Sequence, residues 1–362
     1  MKKYFKYLVL IIPFFFGCGD KLNLNQFNTN TQDVNATGDT VYIQLSPSWE
    51  GFNNPQAILI GKEPFIYVCD TDNNRIVMLN TAGKVLGTKT IQHPIAIAQD
   101  YRLNLIVCAE YTHTDTTGKN TIYSAVYKID LFSAQHDLAN ATVTRILPNR
   151  GADFQERYKY TAVAAFYDNS YYVARSGPNN TSVYDPDNSI LKFQPKKYFN
   201  AGEGDSLIGR VPNLDPLSSG LISANGINCM TPFAKNNVDF IATFSGETSF
   251  KSQWFHFFVS SVEEKYVSQF SPYDGTQFAQ PNKFGQPTGC CLDQFGNIYV
   301  ADGSAARDSV YKFNQYGEEM HSFGGPGVFT RPAAVAFLDK TLYVLDAGSN
   351  KIVRFILSTD IR

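Results

Sequence analysis

The chain has 362 residues, a formal net charge of −2 and only 18% charged residues. No basic face is available to neutralise phosphates, which excludes a nucleic-acid partner. With 28 Phe and 21 Tyr there is ample apolar material for one large core.

The N-terminal stretch MKKYFKYLVLIIPFFFGCGD places Lys2, Lys3 and Lys6 before an apolar run from Tyr7 to Phe16, followed by Gly17-Cys18. A charged start and so short a run suit export rather than a permanent span. A cysteine after a small residue at the end of that run resembles a bacterial lipoprotein signal. The resemblance implies a signal peptide over 1–17, cleavage before Cys18, and acylation of that cysteine by diacylglyceryl and palmitate-type chains. Phe15-Phe16 depart from the usual pattern, and the competing reading is an ordinary secretory signal or an uncleaved anchor. Residues 18–39, rich in Asn and Thr, read as a flexible tether, and 40–362 as one domain. Gly19 rather than Asp after the cysteine points to the outer membrane of the cell envelope, on its periplasmic face or at the surface.

From Thr40 onward the chain is a succession of short strands. TVYIQLS stands alone, and six units follow it. Their second strands are IYVCD from Ile66, LIVCAE from Leu105, YYVAR from Tyr171, FIATF from Phe240, IYVAD from Ile298 and LYVLD from Leu342. An apolar strand opened by Pro or Gly precedes each, and an alternating strand such as NRIVMLN from Asn74 or NKIVRFI from Asn350 follows. A fourth strand shows as KVLGTKT from Lys84 and EEMHSFG from Glu318. Repeated four-stranded units with turn residues between them predict an all-β, six-bladed β-propeller. The second strands read as continuous apolar runs because a mid-blade strand is covered on both faces. TVYIQLS has no unit of its own and is assigned as the outer strand of the last blade, closing the ring and removing an exposed edge.

The turn residues carry a second resemblance. Pro55, Tyr67-Val68, Asp70-Thr71, Asn73-Asn74-Arg75-Ile76 and Gly83 in the first unit resemble the NHL repeat of six-bladed propellers. So do Pro287, Gly296-Asn297-Ile298-Tyr299-Val300-Ala301-Asp302 in the fifth unit and Pro332, Asp346 and Asn350-Lys351-Ile352 in the sixth. Ala109, Arg175 and Phe244 stand where the motif has Asp. Asp70, Asn74, Arg75, Asp302, Asp346 and Asn350 are read as structural turn residues, since Asp and Asn cap backbone and tolerate left-handed conformations. From Ile106 to Tyr172 is 66 residues, against 39 from Tyr67 to Ile106, so blades two to four carry insertions. Loops on a rigid scaffold are where binding groups concentrate, which directs the search for function to that sector.

Some six-bladed propellers, as that resemblance implies, are lactonases or amidating lyases with metal ligands at the central channel. The candidates here are His93, Asn225 and Glu110, and calcium or zinc is the metal such a site would take; no cofactor is otherwise expected. No H-E-x-x-H, G-x-S-x-G or P-loop pattern occurs. Asp185-Pro186-Asp187-Asn188 has the composition of a calcium loop but reads as a turn. Trp254, Phe255 and Phe257 form an aromatic patch, to be read either as core or as a platform for a ligand. Cys69 and Cys108 sit in apolar strands, and the spacing of Cys229 and Cys290-Cys291 forms neither a zinc pattern nor a disulfide framework. The expectation is a lipid-anchored binding or scaffolding propeller that engages a protein or glycan through blades two to four. The alternative is a metal-dependent hydrolase or lyase at the channel.

Overall fold

The computed structural model describes residues 41–195, 205–218, 220–234, 236–246, 250–271 and 276–361. The signal peptide, Cys18 and the tether lie outside the described residues.

β-branched and aromatic runs between Asn, Asp and Gly turns fold into twenty-four strands, β1 to β24, with no α-helix among the described residues. β1 (Tyr42–Trp49) comes first. Blade one holds β2 (Ala57–Ile60), β3 (Phe65–Asp70), β4 (Arg75–Asn80) and β5 (Val85–Thr90). Blade two holds β6 (Ala96–Gln99), β7 (Leu105–Thr114), β8 (Asn120–Asp130) and β9 (Thr142–Leu147). Blade three holds β10 (Lys159–Ala165), β11 (Tyr171–Ser176), β12 (Ser189–Gln194) and β13 (Ser206–Arg210). Blade four holds β14 (Ile227–Pro232), β15 (Phe240–Phe244), β16 (Ser252–Val259) and β17 (Glu264–Ser268). Blade five holds β18 (Pro287–Leu292), β19 (Ile298–Asp302), β20 (Ser309–Phe313) and β21 (Glu319–Gly324). β22 (Pro332–Leu338), β23 (Thr341–Asp346) and β24 (Lys351–Leu357) form blade six with β1 at its outer edge. Every blade is an antiparallel meander, and the chain is a six-bladed β-propeller.

The ring closes as the lone first strand predicts. β1 pairs with β24 from Tyr42↔Leu357 to Leu45↔Arg354, shifts register, and pairs again at Trp49↔Ile352. A single twisted sheet cannot bury both of its faces, so neighbouring blades must. Six apolar clusters result, one at each blade interface. Val68 and Tyr67 of β3 illustrate the division, because Val68 packs toward blade six and Tyr67 toward blade two. Each such side chain, fully buried, contributes about 1.5–3 kcal/mol.

The Asp turns hold the entering loop of blades one, five and six. The Asp70 carboxylate, fully buried, accepts the Asn53 backbone N–H at 2.7 Å, the Asn73 amide at 2.9 Å and Arg75 Nε at 2.7 Å. Asp302 accepts the backbone N–H groups of Gly285 and Gln286, and Asp346 those of Thr330 and Arg331. The clamp therefore joins the end of the second strand to the chain entering the first, sixteen or so residues upstream. The Asn residues reach across blades. Asn74, at φ +52°, accepts the His93 N–H at 2.8 Å, and Asn350, at φ +58°, accepts the Asn54 N–H at 2.7 Å.

Candidate functional site

The six inner strands, β2, β6, β10, β14, β18 and β22, surround a cavity of about 460 Å³ on the propeller axis. Its wall is mostly apolar, with Ile58, Ile97, Val163, Met230, Val335 and Phe337 among the lining residues. Several polar groups of the inner strands are spent on the ring itself, while Lys62, Asp293 and Gln294 also line the cavity. Thr161 Oγ1 donates to Ile227 O at 2.5 Å, Asn228 Nδ2 to Pro287 O at 2.6 Å and Thr288 Oγ1 to Pro332 O at 2.6 Å. Each of these bonds ties one blade's inner strand to the next. Among the described residues, no three His, Cys, Asp or Glu side chains stand together so as to hold a metal ion. No ready-made set of such ligands for the calcium or zinc that the hydrolase alternative calls for is therefore seen among the described residues.

His93 and Glu110 are brought together, and Asn225 is not with them. His93 lies between β5 and β6 at φ +45°, its ring half-exposed. Its Nδ1 is 3.7 Å from Glu110 Oε1 and its Nε2 is 3.8 Å from Asp72 Oδ1. Both distances are too long for hydrogen bonds. Asn225, before β14, donates to Leu217 O and is met by the Asn188 amide at 3.1 Å, which ties blade three to blade four. Trp254, Phe255 and Phe257 pack inward. Phe255 is fully buried on Phe240 at 4.6 Å, Trp254 stacks on Phe233 at 4.2 Å, and Phe257 leans on Tyr266.

The built-up face over blades two to four holds a different set. In a meander blade, the turn from second to third strand and the passage into the next blade open on one face. The insertions divide accordingly. The hairpin around 115–119, the passage 148–158, the loop 177–188 and the described residues of the passage 211–218 and 220–226 share that face, whereas residues 131–141 open on the other. β7 and β8 run ten and eleven residues and stay paired out to Thr114↔Asn120, so their hairpin stands above its neighbours.

One side of that hairpin is aromatic. Tyr111 and His113 share it by the period of two, and Tyr123 lies opposite Tyr111. Phe154, which caps the short 3-10 turn Gly151–Asp153, meets Tyr123 edge-on at 5.3 Å and His113 at 5.8 Å. The Arg145 guanidinium of β9 lies 3.8 Å over the Tyr111 ring. All four rings are half-exposed. On the opposite face of the same strand Thr112 is hydrogen-bonded to Gln92 at 2.9 Å, and Glu110 stands near His93 at the strand's foot. Asp115 caps the hairpin tip, and the Thr117 hydroxyl, together with the Lys119 and Thr117 N–H groups, holds its carboxyl below the usual range.

Beside this shelf the 177–188 loop is pinned by arginines. Arg157 pairs with Asp187 at 3.2 Å, Arg175 with Asp185 at 2.5 Å, and the Tyr158 ring lies against both guanidinium groups. Asp187 also accepts the Asn179 N–H, so the Asp185–Asn188 stretch is a clamped turn. Val183 and Tyr184 at its tip are 85% and 91% exposed.

No family model matches the chain, and no curated protein matches it either. Solved structures do. A gluconolactonase from Xanthomonas campestris has 14% identity and a TM-score of 0.51 over 88% of this chain and 90% of its own. The PQQ-bound aldose sugar dehydrogenase from Streptomyces coelicolor gives 11% and 0.53 over 88% and 98%. A luciferin-regenerating enzyme gives 12% and 0.52 over 88% and 95%. At these identities the chain shares with all three the β-propeller fold, and nothing finer.

Proposed function

We propose that this protein is a binding module of the cell envelope, lipid-anchored at Cys18 to the outer membrane, and that the shelf over blade two binds a glycan. The observation that carries the reading is the half-exposed set Tyr111, His113, Tyr123 and Phe154, raised above the ring on a paired hairpin. Aromatic rings offer a flat apolar face at small entropic cost, which suits the apolar face of a sugar ring. The Arg145 guanidinium over Tyr111 and the His113 imidazole beside Phe154 offer polar groups for its hydroxyls. The near-neutral charge favours an uncharged ligand over a polyanion. The neighbours named above are enzymes, and a lactonase- or lyase-like reading would place chemistry in the channel. The apolar channel wall and its inward-spent polar groups favour the binding module instead.

The test is calorimetric titration of the protein with a panel of uncharged and cell-envelope polysaccharides. Tyr111→Ala is expected to weaken binding at least about tenfold, or ~1.4 kcal/mol, without moving the melting temperature. Binding that survives Tyr111→Ala and Tyr123→Ala, or a panel without any binder alongside capture of a protein partner, overturns the glycan reading.

A further inference from the structure

Five cysteines lie in the described residues, and two of them touch across a blade interface. Cys229 on β14 and Cys290 on β18 stand with their sulfurs 3.6 Å apart, although 61 residues separate them in the chain. The Cys290 backbone N–H points at Cys229 Sγ at 3.4 Å. Thr231 Oγ1 donates to Cys290 O at 2.8 Å and lies 3.3 Å from Cys290 Sγ, which fixes that side of the pair. Both residues line the central cavity, and Cys229 is partly exposed, which gives a small reagent a way to the pair. Cys69 and Cys108, by contrast, are sealed inside blade interfaces. Cys291 points the other way along β18 and packs toward blade six.

We propose that Cys229 and Cys290 are a reversible thiol–disulfide pair that links blades four and five through the channel wall. The two thiols are also chemically unequal. The hydrogen bond from Cys290 holds Cys229 below the ordinary thiol value, while that contact and burial push Cys290 well above it. Cys229 is also the less buried of the two, so it is the attacking sulfur and Cys290 the resolving one. The Cys229 thiolate attacks one sulfur of a small disulfide RSSR, forming a mixed disulfide and releasing RS⁻. Cys290 then gives up its proton, attacks the Cys229 sulfur, and expels the second RS⁻. The net change oxidises two protein thiols to one disulfide and reduces one RSSR to two RSH. Rotation of the two side chains closes the remaining distance to the ~2.05 Å bond, since the inner strands already hold them in contact.

The full-length folded protein is incubated with glutathione disulfide, then alkylated in denaturant and mapped by mass spectrometry without reduction. The expected result is a loss of two alkylatable thiols, a Cys229–Cys290 cross-linked peptide, and recovery of both thiols on treatment with dithiothreitol. Cys290→Ser is expected to stop the reaction at a stable glutathione adduct on Cys229. An unchanged thiol count, a stable adduct on Cys229 in the wild type, or a bond mapped to Cys291 or Cys18 overturns the proposal. The wild-type map decides the matter even if the variant fails to fold.

Discussion

Asp70 shows how a charge comes to lie fully buried without a metal or a reaction to serve. Its oxygens accept one backbone N–H, one amide and the Arg75 guanidinium, whose other arm holds Gly51 O at 2.9 Å. Removing the carboxylate strands these donors, and Asp70→Ala is expected to cost about 3 kcal/mol in denaturant unfolding. Asp308 is the opposite case. It takes the left-handed turn of blade five at φ +40°, its Oδ1 is buried without a hydrogen-bond partner, and burial together with Asp346 and Asp302 raises its pKa. A raised carboxyl favours folding while protonated and loses that contribution as pH rises through its folded value. Asp308→Asn, the residue that blades one and six use at this turn, is therefore expected to stabilise the fold by about 1 kcal/mol at pH 8. The gain should shrink toward pH 4, where the wild-type carboxyl is itself neutral; an equal gain at both pH values would refute the electrostatic account. These residues also mark what was legible in advance. Asp70, Asp302 and Asp346 bond within the turns where the sequence reading put them, through Asn73 and Arg75, Ser304 and Ser349, and they bond as well to the preceding passage, a long-range pairing that local sequence does not display.

At the scale of elements, the departures from the repeat turn out to have local causes. Ala109 replaces Asp because β7 does not turn there but continues into the raised hairpin. Arg175 replaces Asp because it reaches into the inserted 177–188 loop, donating to Asp187 O and Pro186 O. Phe244 replaces it as part of the blade three–four core. Length counting thus placed the insertions in the right blades, yet not on a face, and the shelf was missed altogether. Its rings come from β7, β8 and the passage after β9, distant in sequence and joined only by pairing. The period-two pair Tyr111 and His113 was the one signal available. Replacing Thr112–Ile122 by a two-residue Asn-Gly turn is expected to leave the melting temperature within a few degrees, because the hairpin tip is exposed. The same change should abolish glycan binding. A large drop in melting temperature would show that the hairpin supports the ring and is no mere mount for the shelf.

For the whole molecule, closure decides stability and the axis decides chemistry. β1 covers the outer edge of β24, and Trp49 packs on Tyr343 and under the Arg354 guanidinium while abutting Gly83 of blade one. Trp49→Ala is expected to cost about 3–5 kcal/mol, read by calorimetry, because it empties the junction between the last blade and the first. The channel sets the final contrast with the enzymatic neighbours. A metal bound by the native state alone would add stability as RT ln(1 + [L]/Kd), about 2.7 kcal/mol at a hundredfold excess over Kd. The described side chains offer no cluster of carboxylate, imidazole or thiolate donors for one, and the amides and hydroxyls at the inner strands are committed to neighbouring carbonyl groups. Calcium or zinc at millimolar concentration, and chelator after it, should therefore leave the unfolding transition in place. A transition that climbs with added calcium and falls with chelator would instead require ligands recruited to the axis by rearranging the ring bonds of Asn228 and Thr288. Asn228→Ala and Thr288→Val would then abolish that shift and return the channel to the hydrolase reading.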